Sequence, residues 1–353
     1  MSRRRALAAV AAVVALGGGL AAGLGVGVAL AGRRVSTATA TTATEPVVTL
    51  VTTPQAPGHP LPGTGKPVVR LADLASPEQF ILGQLYQLAL QHEGYRILLL
   101  RNVGAPAIGT AGLLHGTLDL YPEYLGEWNS AIAHLRRRFR TLHAAYTAGS
   151  AYARRHGFAL LHPTPYSSTS CVAVLSQYAQ ANHIHSIPQL ARSGGIIFGA
   201  PAEFQYLADG LPALRHAYHL HPGYVQSIGV GLQYWWLDTG NVQAAYCQTT
   251  DPQLAESRYV ELSDPKDVFG HGNVVPVTTP RVLRLEGPAF ARTINRVDAL
   301  LTLRAMRGLV AEYSLAHHGP TSIAYEFLEG NGILPPARWA PVPTTTTNSS
   351  SRG

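Results

Sequence analysis

Residues 68–100 read VVRLADLASPEQFILGQLYQLALQHEGYRILLL and predict a strand, a helix and a second strand in close succession. Val68–Ala72 is an apolar run with the length of a strand. Ser76, which precedes a proline, is typical of a helix N-terminus, and apolar residues then recur at helical spacing until about His92. A glycine ends this helix, and Tyr95–Leu100 indicates a second buried strand.

The same alternation continues along the chain. A second helix is predicted over about residues 106–115, and residues 289–330 read as wholly helical. Further strands are predicted at Thr117–Leu120, Phe158–Leu161, Ser170–Leu175, Ile196–Phe198, Tyr224–Ile228, Val242–Cys247, Tyr259–Leu262 and Val274–Thr278. Strands that alternate with helices predict an α/β fold with parallel sheets covered on both faces.

The composition excludes several classes of protein. A chain of 353 residues suits two domains or lobes. Apolar residues make up 46% of the chain, which is enough for a large core and excludes a long disordered protein. Two cysteines exclude a disulfide-dense scaffold and a zinc site built from four thiolates.

The net charge of +7 does not indicate a nucleic-acid partner. Part of the excess lies at residues 3–5 and at Arg33 and Arg34, and another cluster lies at residues 136–140. A surface for nucleic acid needs clustered cations, usually with aromatic side chains or a known motif. We therefore expect no nucleic-acid binding, and the cluster at 136–140 is more simply a solvated face.

The N-terminus predicts the compartment. Residues 6–32 carry no charge and follow three arginines, and a run of this length can cross a bilayer. Residues 1–32 are therefore either a cleaved signal peptide or an uncleaved membrane anchor. Both interpretations place the rest of the chain outside the cytoplasm, secreted or anchored to the outer face of the cell membrane. A buried helix of a soluble core is the less favoured alternative, because arginines flank the run on both sides.

Two further segments are predicted to be disordered. Residues 33–66 are rich in Thr, Ala, Pro and Gly, and such a segment cannot bury enough apolar surface to offset the entropy of ordering. This composition predicts a linker. Residues 335–353 have the same character and predict a disordered tail. The folded part should span about residues 67–334.

Several runs resemble one family in the same order. The run LDLYPEYLGEW, Leu118 to Trp128, is similar to the (I/L)DLYPEYTG run of the osmoprotectant (glycine betaine/choline) substrate-binding proteins of ABC importers. The other similar blocks are PEQFILGQLY at 77–86, FGAPAEF at 198–204, ADGLPALRHAY at 208–218, QTTDPQL at 248–254 and NVVPVTTPRVL at 273–283. Together these blocks cover almost the whole of the folded part.

The resemblance implies a fold and a function. It implies a two-lobe fold like that of type II periplasmic binding proteins, with a two-strand hinge and an interlobe cleft that holds the ligand. Lobe 1 would be residues 67–165 plus 250–334, and lobe 2 residues 166–249. The implied function is an extracytoplasmic solute-binding component that performs no chemistry and needs no cofactor. Its partners would be a small solute, possibly a quaternary ammonium compound, an ABC permease with its ATPase, and the membrane through the N-terminus.

The resemblance also implies a ligand box, which this chain alters. Family members hold a quaternary ammonium head among tyrosine rings, because a trimethylammonium is attracted to ring faces. Tyr121 matches the first of these tyrosines, whereas two others fall on Ser170 and Gly272. The cationic residues that clamp a ligand carboxylate in the family fall near Leu74 and Ala208. An altered ligand preference is therefore expected, for a solute without a carboxylate.

Aromatic residues at other positions are candidates to rebuild the box. They are Tyr166, Tyr206, Trp235, Trp236 and Tyr246. The ligand-binding set that we expect is Tyr121, Tyr166, Ser170 and Tyr246. No catalytic residue and no metal site are expected, because the close histidine pairs lack a third fixed ligand and no nucleophile–base pair is evident.

Two other functions stay open at this point. A degenerate binding lobe that acts as a membrane-tethered sensor or accessory protein would explain the altered box. An extracytoplasmic enzyme on the same scaffold is less favoured, because no catalytic set is present.

Cys171 and Cys247 are the two cysteines of the chain. An oxidising compartment permits a disulfide between them. Under the implied two-lobe fold, both lie next to the crossing strands, which run side by side, so the two sulfur atoms could be within bonding reach. The alternative is two small buried side chains that never meet.

Overall fold

The computed structural model describes residues 60–135 and 137–336. The strands in this part of the chain are β1 (Val68–Ala72), β2 (Arg96–Leu100), β3 (Tyr121–Tyr124), β4 (Ala159–Leu160), β5 (Ser170–Leu175), β6 (Ile197–Ala200), β7 (Tyr224–Ser227), β8 (Ala244–Gln248), β9 (Tyr259–Glu261) and β10 (Val274–Thr278). The helices are α1 (Pro77–His92), α2 (Pro106–His115), α3 (Leu125–Glu127), α4 (Leu142–Arg155), α5 (Ser176–Asn182), α6 (Ile187–Ser193), α7 (Leu211–Tyr218), α8 (Gln233–Asp238), α9 (Pro280–Glu286), α10 (Pro288–Leu300), α11 (Leu303–Ser314) and α12 (Pro320–Gly330).

Lobe 1 contains two small sheets. β1 and β2 pair in parallel, and β10 pairs antiparallel with both β3 and β4. A bridge between Leu71 and Leu120 joins the two sheets. Helix α1 begins at the Ser76 cap, whose hydroxyl accepts a hydrogen bond from the backbone N–H of Gln79 at 3.3 Å. The buried face of α1 forms the core of the lobe with α10 and α12.

Lobe 2 is one five-stranded sheet in the order β7-β6-β8-β5-β9. β6 runs parallel to β7 and β8, whereas β5 runs antiparallel to β8 and β9. The alternation of strands and helices had predicted parallel sheets, and this prediction is wrong. The β1–β2 sheet is parallel, the β3–β10–β4 sheet is antiparallel and the sheet of lobe 2 is mixed, because the alternation does not fix the direction in which each strand enters a sheet. Apolar side chains cover both faces of this sheet, with Phe198 and Leu214 in one cluster and Leu237 and Cys247 in another.

The chain crosses between the lobes at two neighbouring segments, residues 164–169 and 270–274. Ser167 and Asn273 form an antiparallel bridge, and the Ser168 N–H donates to the Gly272 carbonyl at 3.0 Å. A Cβ on Gly272 would lie 1.8 Å from the Ser168 carbonyl oxygen, so only glycine permits this approach of the two backbones. These segments form the hinge, which supports the implied pair of crossing strands.

The second crossing lies later in the chain than the predicted lobe boundary at residue 250. Strand β9 pairs with β5, and Leu262 and Val268 pack in the core of lobe 2. Residues 250–269 therefore belong with lobe 2 in this structure. The sequence pattern could not show this, because a strand of three residues carries no information about which sheet it will join.

Other predicted boundaries also shift. Residues 60–66 were assigned to the disordered linker, but the Gly63 N–H donates to the Glu93 carbonyl at 2.9 Å and Lys66 Nζ donates to the Leu285 carbonyl at 2.8 Å. The run at 117–120 was predicted to be a strand, and pairing with β10 instead begins at Tyr121. The helical region 289–330 is divided among α10, α11 and α12.

The predictions for residues 1–32 and for most of the linker and tail lie outside the described residues. Within residues 60–135 and 137–336, no helix combines the length and the apolar character needed to cross a bilayer.

A disulfide joins Cys171 and Cys247 in the structure, with the Cα atoms 4.8 Å apart. The two residues face each other directly in the register of β5 and β8. The bond therefore links neighbouring strands inside the sheet of lobe 2. It does not link the crossing segments at 164–169 and 270–274, from which the pairing had been expected, because the second crossing lies more than twenty residues after Cys247.

Candidate functional site

One edge of the lobe 2 sheet adjoins the hinge. The carboxyl ends of β6 and β8 and the amino end of β5 meet there, because β8 is parallel to β6 and antiparallel to β5. Thr169 directly precedes β5 and Thr249 directly follows β8. The Thr249 N–H donates a hydrogen bond to the Thr169 carbonyl at 2.9 Å. Ligands of α/β proteins bind outside the carboxyl ends of strands, so this edge is the candidate wall of the cleft.

Ser170, Tyr246 and Gln248 lie together at this edge. Ser170 pairs with Gln248 across β5 and β8, and Gln248 Nε2 donates a hydrogen bond to Tyr246 Oη. The Tyr246 ring contacts Phe204 with the ring centroids 5.1 Å apart. Burial raises the pKa of Tyr246, although hydrogen bonds from Gln248 and Ser170 oppose the rise. The group offers a half-buried ring with polar atoms beside it.

Because ligands of α/β proteins bind outside the carboxyl ends of strands, the carboxyl ends of β1 and β2 are the candidate wall on lobe 1. The Asp73 carboxylate accepts a hydrogen bond from the Asn102 N–H at 2.5 Å, which ties the two loops together. Burial raises the pKa of Asp73, and the positive charge of Arg101 opposes the rise. Arg101 is exposed, so this wall carries a cation that the sequence blocks did not indicate.

Tyr121 lies inside lobe 1 rather than on a surface. Its side chain is 0% exposed and packs with Leu118, Trp128 and Val277. A Cβ on Gly109 would lie 3.0 Å from the Tyr121 ring, so that glycine makes room for it. The Tyr121 hydroxyl is buried without a hydrogen bond of normal geometry, and burial and the nearby Glu123 carboxyl raise its pKa.

Glu123 follows on the same face of β3. Its side chain is also 0% exposed, and one carboxyl oxygen accepts from the Tyr124 N–H at 2.7 Å. Burial raises the pKa of Glu123 to about 8. The side chain is therefore largely a neutral carboxylic acid at pH 7, which can donate a hydrogen bond.

The structure brings two of the four predicted ligand residues together. Ser170 and Tyr246 are neighbours on lobe 2, whereas Tyr121 and Tyr166 lie in separate parts of the lobe 1 interior. Tyr166 is 1% exposed and its hydroxyl has no hydrogen-bond partner in the described residues. The other aromatic candidates differ in exposure. Tyr206 and Trp235 are exposed on lobe 2, and Trp236 is partly buried against its core.

The two positions aligned with the family's cationic clamp carry no charge. Leu74 is buried in the core of lobe 1, and Ala208 is an exposed alanine on lobe 2. Neither side chain can pair with a ligand carboxylate.

A buried carboxylate lies where the hinge meets lobe 1. Glu78, in the first turn of α1, accepts hydrogen bonds from Tyr124 Oη at 3.0 Å, from Ser168 Oγ at 2.9 Å and from Thr250 Oγ1. Neither Glu78 nor Gln248 was predicted as a site residue from the sequence, although both lie in blocks that carry the family resemblance. Glu78 could be interpreted from sequence only as an acid at a helix N-terminus.

Residues 60–135 and 137–336 contain no group of three or more His, Cys, Asp or Glu side chains arranged to hold an ion.

Two α/β lobes joined by two crossing segments, with a ring and polar side chains at the hinge-side edge of a sheet, define a two-lobe binding protein of the type II periplasmic class. Comparison with known proteins gives the family. Residues 67–330 match the model of the substrate-binding domain of ABC-type glycine betaine transport systems, and the chain belongs to that family.

Relatives agree with this assignment. The chain is 25% identical over 278 residues to a glycine-betaine-binding protein of Pseudomonas aeruginosa, covering 75% of this chain and 88% of the relative. It is 26% identical over 279 residues to the glycine betaine-binding protein YehZ of Escherichia coli, covering 75% and 90%.

Solved structures agree on the fold. A glycine betaine/carnitine/choline ABC transporter structure matches with a TM-score of 0.70 at 21% identity, over 75% of this chain and 99% of the other. Apo YehZ from Escherichia coli matches with a TM-score of 0.66 at 25% identity, over the same shares of the two chains.

Proposed function

We propose that this chain is the extracytoplasmic solute-binding component of an ABC importer and that it captures a small quaternary ammonium solute without a carboxylate, such as choline. The observation that carries the proposal is the group of Ser170, Tyr246 and Gln248 at the hinge-side edge of lobe 2. The ring face suits a trimethylammonium head, which has no N–H to donate. The hydroxyl and amide suit the ligand hydroxyl, since a few placed polar groups orient a ligand in a cleft.

The charges of the cleft support a ligand without a carboxylate. Leu74 and Ala208 replace the clamp expected from the family resemblance, and an unpaired carboxylate in a closed cleft costs several kcal/mol. Arg101 is the alternative clamp, because it is exposed directly after β2. Tyr121 and Tyr166 belong to the proposed site only if movement of the lobes uncovers their rings.

Calorimetry of the full chain with choline and with glycine betaine tests the ligand class. We expect choline to bind more tightly. Tyr246→Ala should weaken choline binding by ~1–2 kcal/mol, the range for a partly desolvated cation–π contact. Tyr224→Ala is the matched control, because this exposed ring begins β7 at the opposite edge of the sheet and its loss should leave affinity unchanged.

Tighter binding of glycine betaine would make the proposed ligand class wrong. In that case Arg101→Gln shows whether a relocated clamp is the cause, since this variant would then lose the preference for glycine betaine.

The same proposal includes the expected partners. The chain would deliver its solute to a permease and an ATPase, attached to the membrane through its N-terminus. In vesicles containing the permease and ATPase, ATP hydrolysis should rise on addition of this chain with choline. Fractionation of cells should recover the chain outside the cytoplasm.

A second candidate function is a membrane-tethered sensor or accessory protein that binds no solute. The observation that favours it is the complete burial of the family-matched Tyr121 in the core of lobe 1. A thermal-shift screen distinguishes the two functions, because a ligand at 100 times its Kd stabilises the fold by ~2.7 kcal/mol. A screen without any hit supports the second candidate.

A further inference from the structure

Glu78 contacts three segments that meet at the hinge. Tyr124 lies on β3 of lobe 1, Ser168 lies on the first crossing segment, and Thr250 follows β8 of lobe 2. Ser168 Oγ and Thr250 Oγ1 are also 3.2 Å apart, so the two hydroxyls and one carboxylate oxygen form a closed triangle. A single side chain of lobe 1 thus holds a residue of the hinge and a residue of lobe 2.

The side chains that donate hydrogen bonds to the buried Glu78 carboxyl group are hydroxyl groups, and none of these three donors is a cation. Glu78 is 9% exposed, and it accepts from three hydroxyl groups. It also lies in the first turn of α1, where the helix dipole favours a negative charge. Burial and the nearby Asp251 raise the pKa of Glu78, and the hydroxyl donors oppose the rise. Three hydroxyl groups from three different segments converge on this one carboxyl group, so its loss would leave all three without this partner.

Further hydrogen bonds couple the same three segments. Thr249 Oγ1 donates to the Ser167 carbonyl at 2.7 Å and accepts from the Thr169 N–H at 3.1 Å. The strand that carries Tyr246 and Gln248 ends directly before Thr249. The position of Thr250 against Glu78 therefore fixes where the candidate ligand wall lies relative to α1.

We propose that Glu78 is a positioning residue for solute capture, which holds the hinge and the end of β8 against α1 and so sets the angle between the lobes. The proposal rests on the proposed binding function for its effect on affinity, but the effect on the lobe angle does not depend on any ligand. Loss of the contact widens the range of lobe angles and reduces the fraction of molecules ready to bind. The apparent Kd rises in proportion to that loss.

The test compares variants that keep the shape of the site. Glu78→Gln replaces the titratable carboxyl group by an amide and removes one acceptor oxygen, and Thr250→Val removes one donor without changing the volume. Thr250→Ser restores the hydroxyl and should behave as the wild type. Asp298→Asn is the matched control, because Asp298 is also a buried carboxyl of lobe 1, and Tyr86 Oη donates to it at 2.5 Å instead of hinge residues.

Interlobe distances in the ligand-free full chain provide the first measurement. Double electron–electron resonance measures the distribution of distances between nitroxide labels at Leu114→Cys on lobe 1 and Tyr224→Cys on lobe 2. The native disulfide is kept oxidised. Glu78→Gln and Thr250→Val should broaden this distribution, and Asp298→Asn should not, even where it lowers the melting temperature. A wild-type distribution in Glu78→Gln overturns the proposal.

Calorimetry with choline provides the second measurement. Glu78→Gln and Thr250→Val should raise the Kd about tenfold, the factor expected when the competent fraction falls tenfold. Thr250→Ser and Asp298→Asn should keep the wild-type Kd, and a tenfold rise in Asp298→Asn would show that any buried carboxyl has this effect. If the wild type binds no choline, the proposed ligand is wrong, while the distance distributions still decide the role of Glu78.

Discussion

Lobe 2 is one five-stranded sheet in which a disulfide joins neighbouring strands, whereas lobe 1 is assembled from two small sheets around α1. The interior of lobe 1 also contains the buried carboxyl groups of Glu78, Glu123 and Asp298. Burial raises the pKa of each of these groups. Redox conditions should therefore act on lobe 2 alone, whereas pH should act on lobe 1 through these three groups and on lobe 2 through Asp251, whose pKa burial also raises.

The largest expected effect comes from the core of lobe 1. Tyr121→Ala truncates a fully buried ring that packs against Trp128, and it should lower the free energy of unfolding by ~3–5 kcal/mol, as for other large core truncations. Urea unfolding of the ligand-free protein measures the change. A nearly unchanged stability together with weaker solute binding would instead place the ring in the cleft, as the family resemblance implies.

Loss of the disulfide tests lobe 2 alone. The bond closes a loop with a sequence separation of 76 residues, and the chain-entropy model gives a stabilisation of ~4 kcal/mol. The double variant Cys171→Ser, Cys247→Ser should lose about that amount in urea unfolding, and its pH dependence should match that of the wild type. Thiol counting on the denatured, unreduced protein checks the bond itself. Two free thiols per chain would remove this contrast between the lobes.

Glu123 tests the pH dependence of lobe 1. Its pKa in the folded state is about 8, above the ordinary value of 4.5. The neutral acid therefore contributes stability that is fully present below pH 4.5 and is lost as the pH rises through 8. Wild-type stability should fall by a few kcal/mol over this interval, since each tenfold change in the affinity of a group for its proton corresponds to about 1.4 kcal/mol.

The matched variant for this prediction is Glu123→Gln, which has the same shape and does not titrate. Its stability should be less dependent on pH and should exceed that of the wild type at pH 9. Urea unfolding between pH 4 and pH 9 measures both profiles. Parallel profiles for the two proteins would show that Glu123 is not the group that titrates.

The sequence predicted the elements that have strong local signals. The bounds of α1, β5 and β10 are confirmed, because Ser76 and Pro77 mark a helix start and Ser170–Leu175 and Val274–Thr278 are apolar runs of strand length. The fold class and the family are also confirmed. The lobe assignment of β9 was wrong, because three residues can join either sheet and only tertiary packing decides between them.

Less of the candidate site than of the fold could be predicted from the sequence. Ser170 could be proposed from the family alignment and Tyr246 as an aromatic residue at another position, but Gln248 and Glu78 depend on contacts between distant segments. Glu78 and Thr250 are 172 residues apart, and no local pattern predicts that they meet. The burial of Tyr121 is likewise set by the packing of Gly109 and Trp128 around it.

The smallest expected effect concerns an ion pair that connects the two lobes. Arg307 on α11 of lobe 1 donates from Nη2 to Glu261 Oε2 of β9 at 2.6 Å, and its Nε donates to the Thr249 carbonyl at 2.7 Å. The Glu261 side chain is 33% exposed, so solvent and salt screen the pair. Glu261→Gln should lower the free energy of unfolding by only ~0.5–1 kcal/mol, and less at 1 M salt. The Arg307 contact with Thr249 remains in this variant.

Asp238→Asn is the control for this last prediction, because the Asp238 side chain is about as exposed as that of Glu261 and pairs with Arg258 within lobe 2, with Nε and Oδ1 2.8 Å apart. Both variants should cost a similar small amount, but only Glu261→Gln weakens a contact between the lobes. Unfolding of each lobe is then followed separately, through the pH-dependent change for lobe 1 and through reduction of the disulfide for lobe 2. The unfolding transitions of the two lobes should lie further apart in Glu261→Gln. An equal separation in both variants would mean that the hinge around Glu78 and Thr250 couples the lobes without help from Arg307.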